Sequence, residues 1–151
     1  MRRTLLLLAL AGILAPAASA QGAFMPYLGY NFDTSSPTIG VAARFAPPLF
    51  PVAFQPGVEV TLDDGTNIQA DLNVVVPFGM GPVSPVSPWV GAGAAILIPD
   101  DDFGGDTSVA ANLLAGAAFN AGFIKPFVQG RLTTDFEFAA FSAHLGALLN
   151  F

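Results

Sequence analysis

The chain has 151 residues, of which 53% are hydrophobic and only 11% charged, with no cysteine. A soluble domain carries about a quarter charged residues, so a solvated surface is hard to furnish here; disulfides, thiolate metal sites, cysteine nucleophiles and a lipid-modified cysteine are excluded. Five basic residues against eleven acidic ones offer no basic patch for phosphates, so nucleic acid is not an expected partner.

Arg2 and Arg3 open the chain with positive charge, Leu5 to Leu14 form an apolar core, and Ala18-Ser19-Ala20 supply small residues. This is the pattern that a signal peptidase accepts. The core is shorter than the roughly 20 residues of a spanning helix, and Pro16 follows it. Residues 1–20 are therefore expected to be a cleaved signal peptide and residues 21–151 a single domain. From Gln21 onward three basic residues, Arg44, Lys125 and Arg131, stand against all eleven acids, a net charge of −8.

From there the chain alternates with period two, the mark of strands with one apolar face. Phe24, Leu28, Tyr30 and Phe32 oppose Tyr27, Gly29 and Asn31; Ile39, Val41, Ala43 and Phe45 oppose Thr38, Gly40, Ala42 and Arg44. Val58, Val60 and Leu62 oppose Gln55, Gly57, Glu59 and Thr61, and Ile68, Ala70, Leu72 and Val74 oppose Asn67, Gln69, Asp71 and Asn73. The contrast then weakens. Val90, Ala92, Ala94, Ile96 and Ile98 oppose Trp89, Gly91 and Gly93, while Val109, Ala111, Leu113, Ala115 and Phe119 oppose Ser108, Asn112 and Gly116. Val128 and Leu132 oppose Gln129, Arg131 and Thr133, and a last run sets Phe141, Ala143, Leu145, Ala147, Leu149 and Phe151 against Ser142, His144, Gly146, Leu148 and Asn150. Eight strands result, each close to the 9 to 11 residues that cross hydrocarbon when tilted.

Turn residues fill the gaps in two sets. Asp33 to Pro37, Asp63 to Thr66, Pro99 to Thr107 and Thr134 to Ala139 form one; Ala46 to Ala53, Pro77 to Pro88 and Asn120 to Lys125 form the other. Proline and glycine are expected to end the ladder in them. Two long uncharged stretches are not helices on this reading: Leu72 to Pro99 holds four prolines between its ends, and Thr107 to Ile124 is barely long enough to span and carries Asn112 and Asn120.

The polar face is poor in charge and rich in glycine, a thin exterior for water but a workable crowded interior. The apolar face is therefore expected to point outward to lipid, and the eight strands to close, because a lipid-exposed edge cannot satisfy its backbone groups. Charge placement agrees. Nine of the eleven acids lie in the first set of connections and none in the second, while Glu59 and Asp71 sit on the polar face with Arg44 and Arg131.

A signal peptide, eight alternating strands and a terminal Phe151 preceded at two-residue steps by Leu149, Ala147 and Leu145 resemble the small outer-membrane β-barrel proteins of the OmpA-like and OmpX-like type. The resemblance implies an all-β fold, an eight-stranded antiparallel up-and-down transmembrane β-barrel, in the outer membrane of a Gram-negative-type cell with both termini periplasmic. It also implies outer-membrane lipid and the barrel-assembly machinery as partners, with Phe151, Leu149, Ala147 and Leu145 as the signal which that machinery reads. The chain departs from the pattern of long external loops over short periplasmic turns: its expected external loops are short and Pro77 to Pro88 is long, which speaks against an adhesin.

Chemistry-bearing residues are few. Arg44, Glu59, Asp71, Arg131 and His144 share the polar parity and are expected to form a charge network across the lumen, paired with one another or with Gln55, Gln69 and Gln129. His144 and Ser142 share a face, but no spacing establishes a triad, so a hydrogen-bonded lumen histidine is expected and not an enzyme. Asp100, Asp102 and Asp106 offer hard oxygens to a cation, yet Gly104 and Ala111 stand where a calcium loop needs ligands. A solvated acidic tip is expected, with no metal and no cofactor. Trp89, Phe127 and Tyr27 are open between an interfacial girdle and inward packing. The function expected is a structural or interaction role in the cell envelope, with a plugged lumen and little pore activity. The alternative is a secreted or periplasmic soluble β-barrel whose apolar face encloses a ligand.

Overall fold

The computed structural model describes residues 21–47, 50–62, 67–78, 84–99, 107–135 and 137–151; the expected signal segment 1–20 lies outside them. The strands are β1 (Gln21–Asn31), β2 (Ser36–Ala46), β3 (Ala53–Thr61), β4 (Asn67–Pro77), β5 (Val86–Ile98), β6 (Ser108–Phe119), β7 (Ile124–Thr134) and β8 (Ala139–Asn150). Each pairs antiparallel with its sequence neighbours and β8 returns to β1, so the sheet closes into one barrel. Closure gives every strand two partners and leaves no edge.

Register fixes the shape. Starting at Gly22 and stepping across the strands through Phe45, Phe54, Val74, Ala92, Leu113, Leu132 and Phe141 leads back to β1 beside Phe32, whose N–H donates to the Phe141 carbonyl at 2.9 Å. One circuit thus climbs ten residues, from Gly22 to Phe32. With ordinary strand rise and spacing, that stagger tilts eight strands by about 40° and sets a backbone radius of about 8 Å.

The alternation is realised with the apolar face outward. Leu28, Leu72, Leu113 and Leu145 are 55–66% exposed, whereas Gln55, Glu59, Asn73, Asn112, Arg131, Ser142 and His144 are buried inside. The opposite arrangement, a soluble barrel with its apolar face around a ligand, is not the one observed.

Tyr27, Trp89 and Phe127 point inward and are buried, which settles the choice left open for them. Each faces a glycine on the adjacent strand, in the pairs Tyr27 with Gly40, Trp89 with Gly116 and Phe127 with Gly146. His144 faces Gly29 in the same way. A Cβ on any of these four glycines would fall 2.3–2.6 Å from the facing ring. Rings occupying the space that a Cβ would take at the facing glycine are how so narrow an interior accepts four large side chains.

The aromatic belts belong instead to phenylalanine and one tyrosine on the outward parity. Tyr30, Phe32 and Phe141 cluster toward one end, with Phe32 stacked on Phe141 at 5.6 Å between ring centroids. Toward the end that holds both described termini, Phe45 stacks on Phe54 at 5.6 Å, and Phe119, Phe123 and Phe151 are exposed.

Proline does not end the ladder everywhere. Pro37 lies in β2 opposite Tyr30 and Pro88 in β5 opposite Ala117. Each keeps an acceptor although it lacks a donor: the Pro37 carbonyl takes the Leu62 N–H at 2.9 Å and the Pro88 carbonyl takes the Phe78 N–H at 2.8 Å. The connection expected over Pro77 to Pro88 accordingly shortens to residues 78–85, since Pro77 closes β4 and β5 begins at Val86. Likewise β2 begins at Ser36 and β7 at Ile124, inside the expected turns.

The β7–β8 turn is held by Asp135, whose carboxylate accepts the N–H groups of Phe138 at 2.8 Å and Glu137 at 3.1 Å. These bonds favour the ionised form and hold its pKa below the usual carboxylate value. A depressed carboxylate contributes fully above its unfolded value and loses that contribution as pH falls through the folded one. The protection factor of the Phe138 amide, its rate relative to the unstructured rate at the same pH, is therefore expected to fall below about pH 4, and Asp135→Ala to show the low protection already at pH 7.

Arginine on the outward face tests the assignment of faces. Leu72→Arg or Val58→Arg is expected to destabilise the inserted barrel by about 2–4 kcal/mol near the midplane. Thr61→Arg, on the inward parity beside a cavity, is expected to cost less. Equilibrium urea unfolding in lipid vesicles checks the ranking.

Candidate functional site

The polar parity of all eight strands converges on the barrel axis. Arg131 on β7 is the hub: one Nη donates to Glu59 Oε1 of β3 and the other to Asp71 Oδ2 of β4 at 3.3 Å. His144 on β8 places Nε2 2.8 Å from Glu59 Oε2, a close polar contact without hydrogen-bond geometry. The acidic and basic side chains of this group are at most 4% exposed. Tyr27 packs edge-on against the His144 ring, 4.9 Å between centroids.

A second chain of bonds extends from Asp71. Asn73 Nδ2 donates to Asp71 Oδ1 at 2.7 Å, Asn112 Nδ2 to Asn73 Oδ1 at 3.2 Å and Thr133 Oγ1 to Asn112 Oδ1 at 2.9 Å. This links β4, β6 and β7 through neutral groups. The polar parity of Asn73, Asn112 and Thr133 was visible in the sequence; their bonding was not, because no local pattern specifies which amides meet across a barrel.

Arg44 stands apart. Its Nε and Nη2 donate to Gln55 Oε1 at 3.1 and 2.6 Å, and its guanidinium lies 4.1 Å from the centroid of the Trp89 ring. Gln55 and the Trp89 indole both donate to Gln129 Oε1, each at 3.3 Å. The structure thus brings Glu59, Asp71, Arg131 and His144 together and joins Arg44 to amides and an indole. Of the three glutamines expected as partners, Gln55 and Gln129 bond, while the buried Gln69 Nε2 has no hydrogen-bond partner among the described residues.

Cavities lie at the two ends of the axis. One, of about 320 Å³, is lined by Arg131, Ser142 and Thr133 below and by Asn31, Thr61 and Gln69 around it. The other, of about 150 Å³, opens beside Arg44 and Lys125 at the end that holds both described termini. Ser142 faces the first cavity, and among the described residues no hydrogen bond joins it to His144, whose ring is turned to Glu59. Asp100, Asp102 and Asp106 lie outside the described residues, and among those described no group of three metal-ligating side chains occurs.

The residues Leu145, Ala147 and Leu149 lie on the outward parity of β8, whose flanks pair with β1 and β7. Phe151 follows them, its N–H donating to the Gly22 carbonyl at 3.1 Å and its exposed ring covering Gly22.

Removing the hub should strand two carboxylates. Arg131→Ala is expected to destabilise the barrel by about 3–5 kcal/mol, the cost of breaking a buried pair from one side. Glu59→Gln, which leaves Arg131 with Asp71, is expected to cost less. Unfolding followed by the fluorescence of the single tryptophan, Trp89, measures both.

No protein-family model matches the chain, and no curated protein matches it. Solved structures do. The N-terminal β-barrel domain of Pseudomonas aeruginosa OprF is similar with a TM-score of 0.72 at 18% identity, over 87% of this chain and 98% of that one. The Yersinia pestis outer membrane protein Ail, in a phospholipid bilayer nanodisc, gives 0.62 at 12% identity over 88% and 100%. The outer membrane enzyme PagL gives 0.55 at 14% identity over 84% and 98%. With a closed ring of eight antiparallel strands, an apolar exterior and a charged interior, the chain has the fold of the small OmpA-like and OmpX-like outer-membrane β-barrels.

Proposed function

We propose that the protein is an outer-membrane β-barrel with a structural or interaction role in the cell envelope, a plugged lumen and little or no pore activity. The observation that carries this reading is the Arg131–Glu59–Asp71–His144 cluster, buried on the axis between two separate end cavities. An ion moving along the axis would have to part Arg131 from two carboxylates in a water-poor interior, which costs several kcal/mol. The role is structural and not enzymatic on this reading, because His144 is committed to Glu59 and Ser142 has no base on it. Both termini are periplasmic, which puts the acid-rich connections outside; the outer-membrane lipid and the barrel-assembly machinery are the partners.

Two measurements test it. In planar bilayers the purified protein is expected to show no large, steady single-channel conductance; an open-channel record would remove the plug. In fractionated cells it is expected in the detergent-extracted outer membrane, whereas release with periplasmic contents would remove the membrane assignment.

Phe151 carries the assembly proposal, as the terminal aromatic on the outward parity. Deleting it, or replacing it with Asp, is expected to leave export intact and lower the amount inserted. Normal outer-membrane levels of the deletion would end that role.

A further inference from the structure

The cavity at the terminal end has a charge that the rest of the barrel does not balance. Arg44 and Lys125 line it, and among the described residues no Asp or Glu does. Asn150, Asn120, Ser87 and Trp89 complete the polar part of its wall, while Ala118 is too small to fill it. The register explains the convergence: Arg44 lies opposite Ala23, Ala23 opposite Asn150, and Lys125 opposite Leu148 on the same strand as Asn150.

Every carboxylate in the lumen is used elsewhere. Glu59 and Asp71 are held by Arg131 and His144. Among the described residues Arg44 therefore has only neutral partners, the carbonyl oxygen of Gln55 and the face of Trp89. Two of its donors go to that one oxygen, and the planar fork has five. Lys125, half-buried at the start of β7, makes no ion pair among the described residues. Two cations facing one small cavity repel each other unless an anion lies between them, and a fork beside an ammonium is the donor set that recognises oxyanions.

We propose that this cavity is a binding site for one oxyanion group, a phosphate or carboxylate borne by a soluble molecule, held between Arg44 and Lys125. At about 150 Å³ it admits such a group and not a large ligand. Its place on the inward parity, inside the ring of strands, favours a solute from the axis over a headgroup outside the wall. The proposal stands on this geometry and does not depend on whether the lumen conducts.

The test is a phosphate titration of the full barrel domain refolded in dodecyl maltoside, a detergent without phosphate, with chloride holding ionic strength constant. The indole N–H of Trp89, a single resonance, and the Arg44 side-chain N–H are expected to shift saturably. Lys125→Gln, a substitution at the rim, is expected to weaken the apparent affinity about tenfold with the remaining spectrum unchanged, and Arg44→Gln to weaken it about as much. Absent or non-saturating shifts, or an unchanged affinity in Lys125→Gln, would overturn the site. A parallel titration with a short-chain phosphatidylglycerol separates the sources: binding of that lipid without binding of inorganic phosphate would overturn the soluble occupant.

Discussion

Closure of eight strands at a stagger of ten residues is the constraint on which the rest of this structure depends. Closure satisfies the backbone of every strand, and the stagger sets how much space is left inside. At a backbone radius of about 8 Å, opposing inward side chains meet near the axis. Every large inward residue therefore needs a small one beside it. The four ring–glycine pairs meet that need across adjacent strands, and the glycines that read as a weakness of the polar face are what lets Tyr27, Trp89, Phe127 and His144 lie inside.

The same narrowness decides how charge is handled. An isolated charge in so dry a space is costly, and Arg131 meets the cost by taking one carboxylate on each side of its fork while His144 lies against the remaining oxygen of Glu59. The pairing spans β3, β4, β7 and β8 and so ties opposite walls of the ring together. Arg44 is treated differently. Trp89 and Gln55 soften its charge without cancelling it, and the uncompensated positive field is left at one end of the axis. Nine of the acids belong by sequence to connections at the other end, so the molecule is polar along its axis.

Outside, the demands reverse. Water cannot solvate a wall of leucine, valine and isoleucine, whereas hydrocarbon can, and phenylalanines stacked toward both ends sit where aromatic rings favour the boundary between the two. Similarity to OprF, Ail and PagL at 12–18% identity is what such a solution predicts. The architecture is specified by parity and closure, which many unrelated side chains can satisfy, so fold persists where sequence does not.

How much was legible in advance follows from the same physics. Strand number, the inward parity of Glu59, Asp71, Arg131 and His144, and the outward parity of Leu72 and Leu145 all rest on period two, a property of each strand alone, whereas the antiparallel order is what the resemblance implies. Those were readable from the chain. Strand ends were less so: Pro37 and Pro88 read as breakers, yet a proline's carbonyl still serves a neighbouring strand that the sequence does not reveal. The inward turn of Tyr27, Trp89 and Phe127 was undecided because it depends on which glycine lies opposite, a fact of register. Only the closed ring determined that Arg131 lies between Glu59 and Asp71 while Arg44 faces Trp89. Residues as far apart as 59 and 131 become neighbours through the radius and stagger of the whole barrel, and no local stretch of sequence encodes either quantity.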